Sequence, residues 1–284
     1  MRLVVFLPFG VQLFIGRRLG DLMYAASSGH REVARINLEL CFPELDEAAR
    51  HDLVRETFRS VGITLMETAF AWWGSDARLD RISRVEGMEH MNRALEQGKG
   101  VFLLGGHYTT LEMSGRLMCL FLEHVHPMYK PASNKLFNAV MVHARSQYFE
   151  GLVDNRDMRN ILRALRNNKV IWYAPDQDFG RAQTVFAPFM GVDAVSLTMT
   201  ARMAKMSGAP VLPFYSQRLP GTQGYLMRVM PPLENFPSDD DVADCTKVNE
   251  AIERQVRDAP EQYLWLHRRF KTRPKGEPPI YPEK

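Results

Sequence analysis

Two stretches constrain this chain more than any others: KGVFLLGG (99–106) and KVIWYAPDQ (169–177). Each carries an uninterrupted apolar run. A strand with one face in water alternates apolar and polar residues, and these do not. They therefore read as strands of a sheet covered on both faces, which is the habit of parallel sheets. The segments around them have helical spacing: TTLEMSGRLMCLFLEH (109–124), NKLFNAVMVHARSQYF (134–149), NRDMRNILRALRNN (155–168) and VADCTKVNEAIERQVRDAP (242–260). HPMYKP (126–131) reads as a short strand. APVLPFYSQR and GYLMRVM read as two strands around the turn LPGTQG. AVSLTMTARMAKMSG (194–208) is expected to be one helix stopped by Gly208. Strands alternating with helices predict an α/β fold: a mixed, largely parallel central sheet flanked by helices.

The first 75 residues read differently, as helices alone. In DEAARHDLVRETFRSVGITLMETAFAWW (46–73), Leu53, Val54, Phe58, Val61 and Leu65 recur at helical spacing, with Asp46 as N-cap and Gly74 as stop. LVVFLPFGVQLFIG (3–16) is apolar but short. As a helix it would rise about 21 Å, against roughly 30 Å of hydrocarbon. The arginines of GRRLG follow it, as in a segment lying in a membrane interface; a core helix is the equal alternative. The expected organisation is a membrane-associating helical region, 1–75, continuous with an α/β domain, 76–284. That suits 284 residues with 45% hydrophobic content. A net charge of +3 is too small to imply nucleic acid. Three scattered cysteines without CxxC spacing or a secretory leader imply reduced thiols on the cytoplasmic side.

Ligands of such sheets sit beyond the carboxyl ends of the strands, where His107 and Asp176 lie after separate strands. HYTTLE (107–112) puts His107 in a turn and Glu112 in the first turn of a helix, where the dipole favours a carboxylate. Glu112 could accept a proton from one imidazole nitrogen and leave the other as a base, worth roughly 10²–10⁴ in rate. A capping histidine beside a surface glutamate is the plain alternative. Asp176 and Asp178 in APDQDFGR form a D-x-D triplet, read as metal ligands for a nucleotide sugar or as a turn organising the loop beside His107; the turn is favoured. In the helix at 155–168, Met158, Ile161, Leu162 and Leu165 make one face, with Arg156, Arg159, Arg163 and Arg166 largely on the others. HRRFKTRPK (267–275), with five Lys/Arg and no acid, suits a phosphorylated lipid more than nucleic acid.

Together these residues resemble the late acyltransferases of lipid A biosynthesis, the LpxL/LpxM (HtrB/MsbB) family of the lysophospholipid acyltransferase-like group. The likeness runs through RINLELCFPEL (35–45), HYTTLE, YKPASNKLFN (129–138), WYAPDQDFG (172–180), VFAPFMG (185–191) and YLWLHRRFKTRP (263–274). It implies transfer of an acyl chain from an acyl carrier protein thioester to a hydroxyl of a Kdo-bearing lipid A precursor, at the cytoplasmic face of a bacterial inner membrane. It implies no metal and no bound cofactor. On this sequence it makes His107 the general base, Glu112 its partner and Arg145 a stabiliser of the oxyanion or substrate. Lys130, Asn134, Asp176, Gln177, Asp178, Arg268 and Arg269 become candidates for binding substrate, and the glycines before His107 leave room for it. Lys130 replaces a usual arginine, and Met190 stands where an aromatic is common. Family members usually carry a longer N-terminal leader, so peripheral or monotopic attachment is expected here. Two other readings remain: a metal-dependent glycosyltransferase using Asp176 and Asp178, and a non-catalytic membrane lipid-binding protein.

Overall fold

A computed structural model describes residues 2–282. A 3-10 turn, Arg2–Phe6, leads into helices α1 (Phe9–Ala26), α2 (Ser28–Cys41), α3 (Glu47–Trp73) and α4 (Asp76–Asp80). Strand β1 (Ser83–Glu86), α5 (Met88–Leu95), β2 (Val101–Leu104), α6 (Leu111–Met118), β3 (Val125–Tyr129) and α7 (Lys135–Arg145) follow. The chain continues through β4 (Val153–Asp154), α8 (Met158–Arg166), β5 (Val170–Tyr173), β6 (Thr184–Phe189), β7 (Val192–Leu197) and α9 (Met199–Ser207). It closes with β8 (Val211–Arg218), β9 (Tyr225–Val229) and α10 (Asp241–Asp258).

The seven-stranded sheet has the order β1-β9-β8-β2-β5-β3-β4. From β8 to β4 neighbouring strands are parallel; β9 runs antiparallel to β8, and β1 follows β9. The expected mixed, largely parallel sheet is present. Its two buried faces explain the unbroken apolar runs. Phe102, Leu104 and Ile171 pack into the core on one face with α8, α9 and α10. Val101, Leu103, Val170 and Trp172 pack on the other with α5, α6 and α7. Successive residues of one strand thus serve opposite cores.

The helix expected over 194–208 is a strand and a helix. Val192–Leu197 pairs with Thr184–Phe189 as an antiparallel hairpin, and only Met199 onward is helical. The turn is Met190-Gly191, both at positive φ (51° and 79°), the mirror-image turn that suits twisted strands. The β-branched Val192 and Val195 favour the extended state. Met190 is thereby a turn residue, its N–H donating to Glu253 Oε1 at 2.7 Å.

Asp46 accepts the Ala49 N–H at 2.8 Å and caps α3, and Gly74 ends it. Helix α1 lies against α3 through glycines. A Cβ on Gly16 would sit 2.6 Å from Ile63 Cα, on Gly20 2.4 Å from the Phe58 carbonyl oxygen, and on Gly62 2.2 Å from the Gly16 carbonyl oxygen. The two backbones touch, so both helices form one body. On the outer side Leu3, Phe6, Phe14 and Leu22 are exposed. No described helix is long and apolar enough to cross a membrane.

This crossing generates a prediction. Gly62→Ala should lower unfolding free energy by about 1–3 kcal/mol, because overpacking outweighs alanine's better helix propensity. Urea denaturation measures it; unchanged stability would mean that the helices are not in backbone contact.

Candidate active site

Strands β2 and β5 are parallel neighbours in the register Leu104↔Tyr173. Three residues beyond that level each chain segment carries a titratable side chain, His107 on one and Asp176 on the other. They meet. Asp176 Oδ1 is 2.6 Å from His107 Nδ1, and Oδ2 accepts the His107 backbone N–H at 2.8 Å. Asp176 is fully buried and His107 is about one quarter exposed. Burial alone would raise the Asp176 carboxyl. The charge of His107 and its two hydrogen bonds, with help from the Tyr263 hydroxyl, outweigh it and hold the pKa down to about 2. A carboxylate on Nδ1 fixes that nitrogen as the proton-bearing one. Nε2 has no hydrogen-bond partner among the described residues and remains the basic atom.

Glu112 does occupy the first turn of α6, as the motif suggested, but it is not the imidazole's partner. Its carboxylate takes the Arg145 guanidinium as a fork, with Nε at 3.3 Å, and accepts the Trp72 indole N–H at 2.8 Å. Arg145 comes from the last turn of α7. The expected His107–Glu112 contact is therefore corrected to His107–Asp176, with Glu112 holding Arg145. The reason is topological: adjacent strand ends bring residues 107 and 176 level, whereas Glu112 projects from a helix toward α3 and α7.

His107 and Arg145 border one cavity of about 410 Å³. Leu111, Met128, Met141, Phe179 and Met199 line it with apolar surface, and Lys130, Arg156 and Gln177 add polar groups. Lys130 and Gln177 thus both line this cavity. The loop that carries His107 is clamped from α3. Ser60 Oγ lies 2.7 Å from Thr109 Oγ1, and Thr64 Oγ1 donates to the Thr109 carbonyl at 2.7 Å. Ser60 in turn accepts Arg218 Nη1 at 2.9 Å, and the Arg218 fork closes on buried Glu67 at 2.6 and 2.8 Å. Burial opposes the Arg218 charge, but the Glu67 carboxylate outweighs it and raises the guanidinium pKa.

Other candidates have structural work. Asn134 caps α7, accepting the Phe137 N–H at 3.0 Å. Asp178 forms a turn: it accepts Gly180 N–H at 2.9 Å and Thr272 N–H and Oγ1 at 2.6 and 2.9 Å, which ties the C-terminal segment to the loop. Asp176 serves His107 from full burial and does not line the 410 Å³ cavity. Arg269 is buried, donating to the Val195 carbonyl at 2.7 Å with its guanidinium over Phe189. It is an internal strut, and a substrate contact is corrected accordingly. Arg268 is half-buried over the Tyr281 ring. The basic tail is folded in because Trp265 and Phe270 anchor it in the core. Nor do the glycines hold room for substrate: a Cβ on Gly105 would meet the Trp172 indole nitrogen at 2.8 Å, and on Gly106 the Tyr108 ring at 2.7 Å.

Three neighbours of the dyad escaped sequence reasoning. Asn37 donates to the Trp265 and His267 carbonyls at 2.7 and 2.9 Å. Tyr263 backs Asp176. His267 accepts the Asp178 N–H at 3.2 Å, and burial lowers its pKa. The blocks RINLELCFPEL and YLWLHRRFKTRP contain all three, and that was the available signal.

The family model for bacterial lipid A biosynthesis acyltransferases matches residues 1–272. The chain is 39% identical over 280 residues to the lipid A biosynthesis lauroyltransferase of Escherichia coli (strain K12), covering 98% of this chain and 91% of that protein. It is 38% identical over 276 residues to the palmitoleoyltransferase of the same organism, covering 97% and 90%. To a lipid A biosynthesis acyltransferase of Haemophilus influenzae it is 35% identical, covering 98% and 90%.

Two outcomes follow from the geometry. Asp176 has a depressed folded pKa, so its stabilising contribution is complete above an unfolded value near 4 and is lost as pH falls toward 2. Denaturant unfolding between pH 6 and 2 should show a loss on the order of 2 kcal/mol from this group that Asp176→Asn lacks. Arg269→Glu should lose about 3–5 kcal/mol by burying an unpaired charge; a variant with wild-type thermal stability would refute the internal role.

Proposed function

The chain belongs to the bacterial lipid A biosynthesis acyltransferase family, and from that premise we propose that it carries out secondary acylation. An acyl chain passes from an acyl carrier protein thioester to a hydroxyl of a Kdo-bearing lipid A precursor. The observation that carries the reading is the Asp176-bonded imidazole at the wall of a cavity lined with methionine, leucine and phenylalanine side chains. Flexible thioethers adapt to the irregular shape of a chain.

In this reading His107 Nε2 takes the proton of the acceptor hydroxyl as its oxygen attacks the thioester carbonyl. Asp176 stabilises the imidazolium that forms, without itself taking the proton. The new C–O bond makes a tetrahedral oxyanion. Arg145, held in orientation by Glu112, whose carboxylate is itself fixed by Trp72, places a guanidinium at the cavity wall for that charge or for an anionic substrate group. Collapse breaks the C–S bond; the thiolate leaves, and the imidazolium returns its proton to sulfur or water. Lys130 suits the anionic headgroup of the acceptor.

The surface fits work at a membrane. Leu3, Phe6, Phe14 and Leu22 are exposed on the N-terminal segment, and Leu136, Phe137 and Val140 on α7 beside the cavity. Arg2 over Trp73, Trp72 against Trp73, and Phe137 against Trp72 join the two patches. Apolar surface of this kind, rimmed by arginine and lysine, suits peripheral attachment to the cytoplasmic face of the inner membrane.

The test is lipid mass after incubation of detergent-solubilised protein with carrier-protein thioesters and a Kdo-bearing tetra-acylated precursor. Wild type should add one acyl unit, equally well with EDTA. His107→Ala and Asp176→Asn should lose roughly 10²–10⁴ in kcat. Glu112→Gln should lose activity through Arg145, so that in an Arg145→Ala background the same Glu112→Gln change should cost nothing further. No product from any donor, with folded protein, would end this reading.

A further inference from the structure

Helix α8 divides its surface sharply. Ile161 and Leu165 are buried in the core with Phe102 and Leu104. Arg159, Arg163 and Arg166 are exposed, and at 100° per residue they fall within an arc of roughly 60° on the opposite side. Arg156, just before the helix, extends the stripe and lines the catalytic cavity. Arg156 pairs with Asp154. Arg159, Arg163 and Arg166 have no carboxylate partner among the described residues; Arg163 donates only to Asn160 Oδ1, at 2.8 Å. Like charges three and four residues apart weaken a helix by a few tenths of a kcal/mol per pair. Arg163 and Arg166 fall in the last turn, where the helix dipole favours cations, but Arg159 and Arg156 do not, so the dipole accounts for only part of the stripe.

Its position narrows the role. The apolar patch on α7 belongs to the sheet face whose core holds Val101, Leu103, Met141 and Ala144. Helix α8 covers the opposite face. The cavity lies at the strand edge between them, taking Met141 and Arg145 from α7 and Asn155 and Arg156 from the entry to α8. A bilayer seated on the α7 side leaves the arginines of α8 facing away from it. They are placed for a soluble, acidic macromolecule that reaches the same cavity from the far side.

We propose that the exposed arginine stripe of α8, Arg159, Arg163 and Arg166, is the docking surface for an acidic protein, the carrier that brings the acyl thioester into the cavity past Arg156. This rests on the acyl-transfer reading above and adds where the protein part of the donor binds. Guanidinium groups fork onto carboxylates, and such rim charges set encounter and affinity without entering the chemistry. The lipid acceptor then enters from the α7 side, so the two substrates approach one imidazole from opposite faces of the sheet.

The experiment compares two donors with the same acyl chain: the carrier-protein thioester and the small acyl-pantetheine thioester, which lacks the protein. The full-length protein and Arg159→Glu/Arg163→Glu/Arg166→Glu are assayed on the same acceptor after thermal melting confirms the fold. The triple variant should raise KM for the carrier thioester roughly tenfold or more, keep kcat within about twofold and use acyl-pantetheine as wild type does. Wild-type KM for the carrier should also rise with salt, and the variant's should not. An unchanged carrier KM, or equal losses with both donors, overturns the proposal. So does a variant that loses binding to vesicles containing anionic lipid while its carrier KM is unchanged, which would assign the stripe to lipid phosphate. A wild type that uses acyl-pantetheine but not the carrier refutes docking alone, whereas one that uses neither donor refutes the acyl-transfer reading.

Discussion

The parallel pairing of β2 with β5 is the constraint on which the site depends. Leu104 and Tyr173 share a register level, so the residues three further along both segments are held side by side at the sheet edge. That places the Asp176 carboxylate on both the Nδ1 and the backbone N–H of His107. A slip of two residues would keep the apolar faces in place yet separate the pair. The apolar runs that define the core thus also set the chemistry, because strand register transmits directly into the loops that follow.

A second set of contacts keeps the loop still. Helix α3 reaches Thr109 through Ser60 and Thr64, and the Glu67–Arg218 pair braces Ser60 from below. The Tyr225 hydroxyl donates to the same Glu67 at 2.6 Å. A buried ion pair of this kind adds little net stability but is costly to break on one side, so it specifies one arrangement. The N-terminal helices are in this sense part of the framework of the candidate site: α1 locks to α3 through its glycines, α3 holds the loop, and the loop holds His107. The exposed apolar residues on the far side of α1 then lie on a rigid extension of the site.

Much of the fold was legible from residues. The limits of α3 followed from Asp46 and Gly74, and the strands at 101–104, 170–173, 211–218 and 225–229 from apolar runs and turn residues. The hairpin at 184–197 was not, because Met190-Gly191 lacks the usual Asn-Gly signal and the following residues continue into helical spacing. The cavity-facing Lys130 and Gln177 were legible as polar residues in the quoted blocks, and Arg145 through the resemblance. The turn favoured for Asp178 is the one present, whereas the role of Arg269 was not legible, because an arginine in a basic cluster looks available to a ligand until the aromatic residues beside it are seen to draw the segment inward.

The sequence by itself determined the class of fold, the position of His107 beyond a strand and the family to which the chain belongs, since these are written in local periodicity and contiguous motifs. Only the tertiary structure decided which carboxylate bonds His107, that Glu112 holds Arg145, and that the arginines of α8 and the apolar patch of α7 lie on opposite faces of one sheet. The two side-chain pairs join residues 69 and 33 positions apart. They depend on strand order and register, which no local pattern encodes.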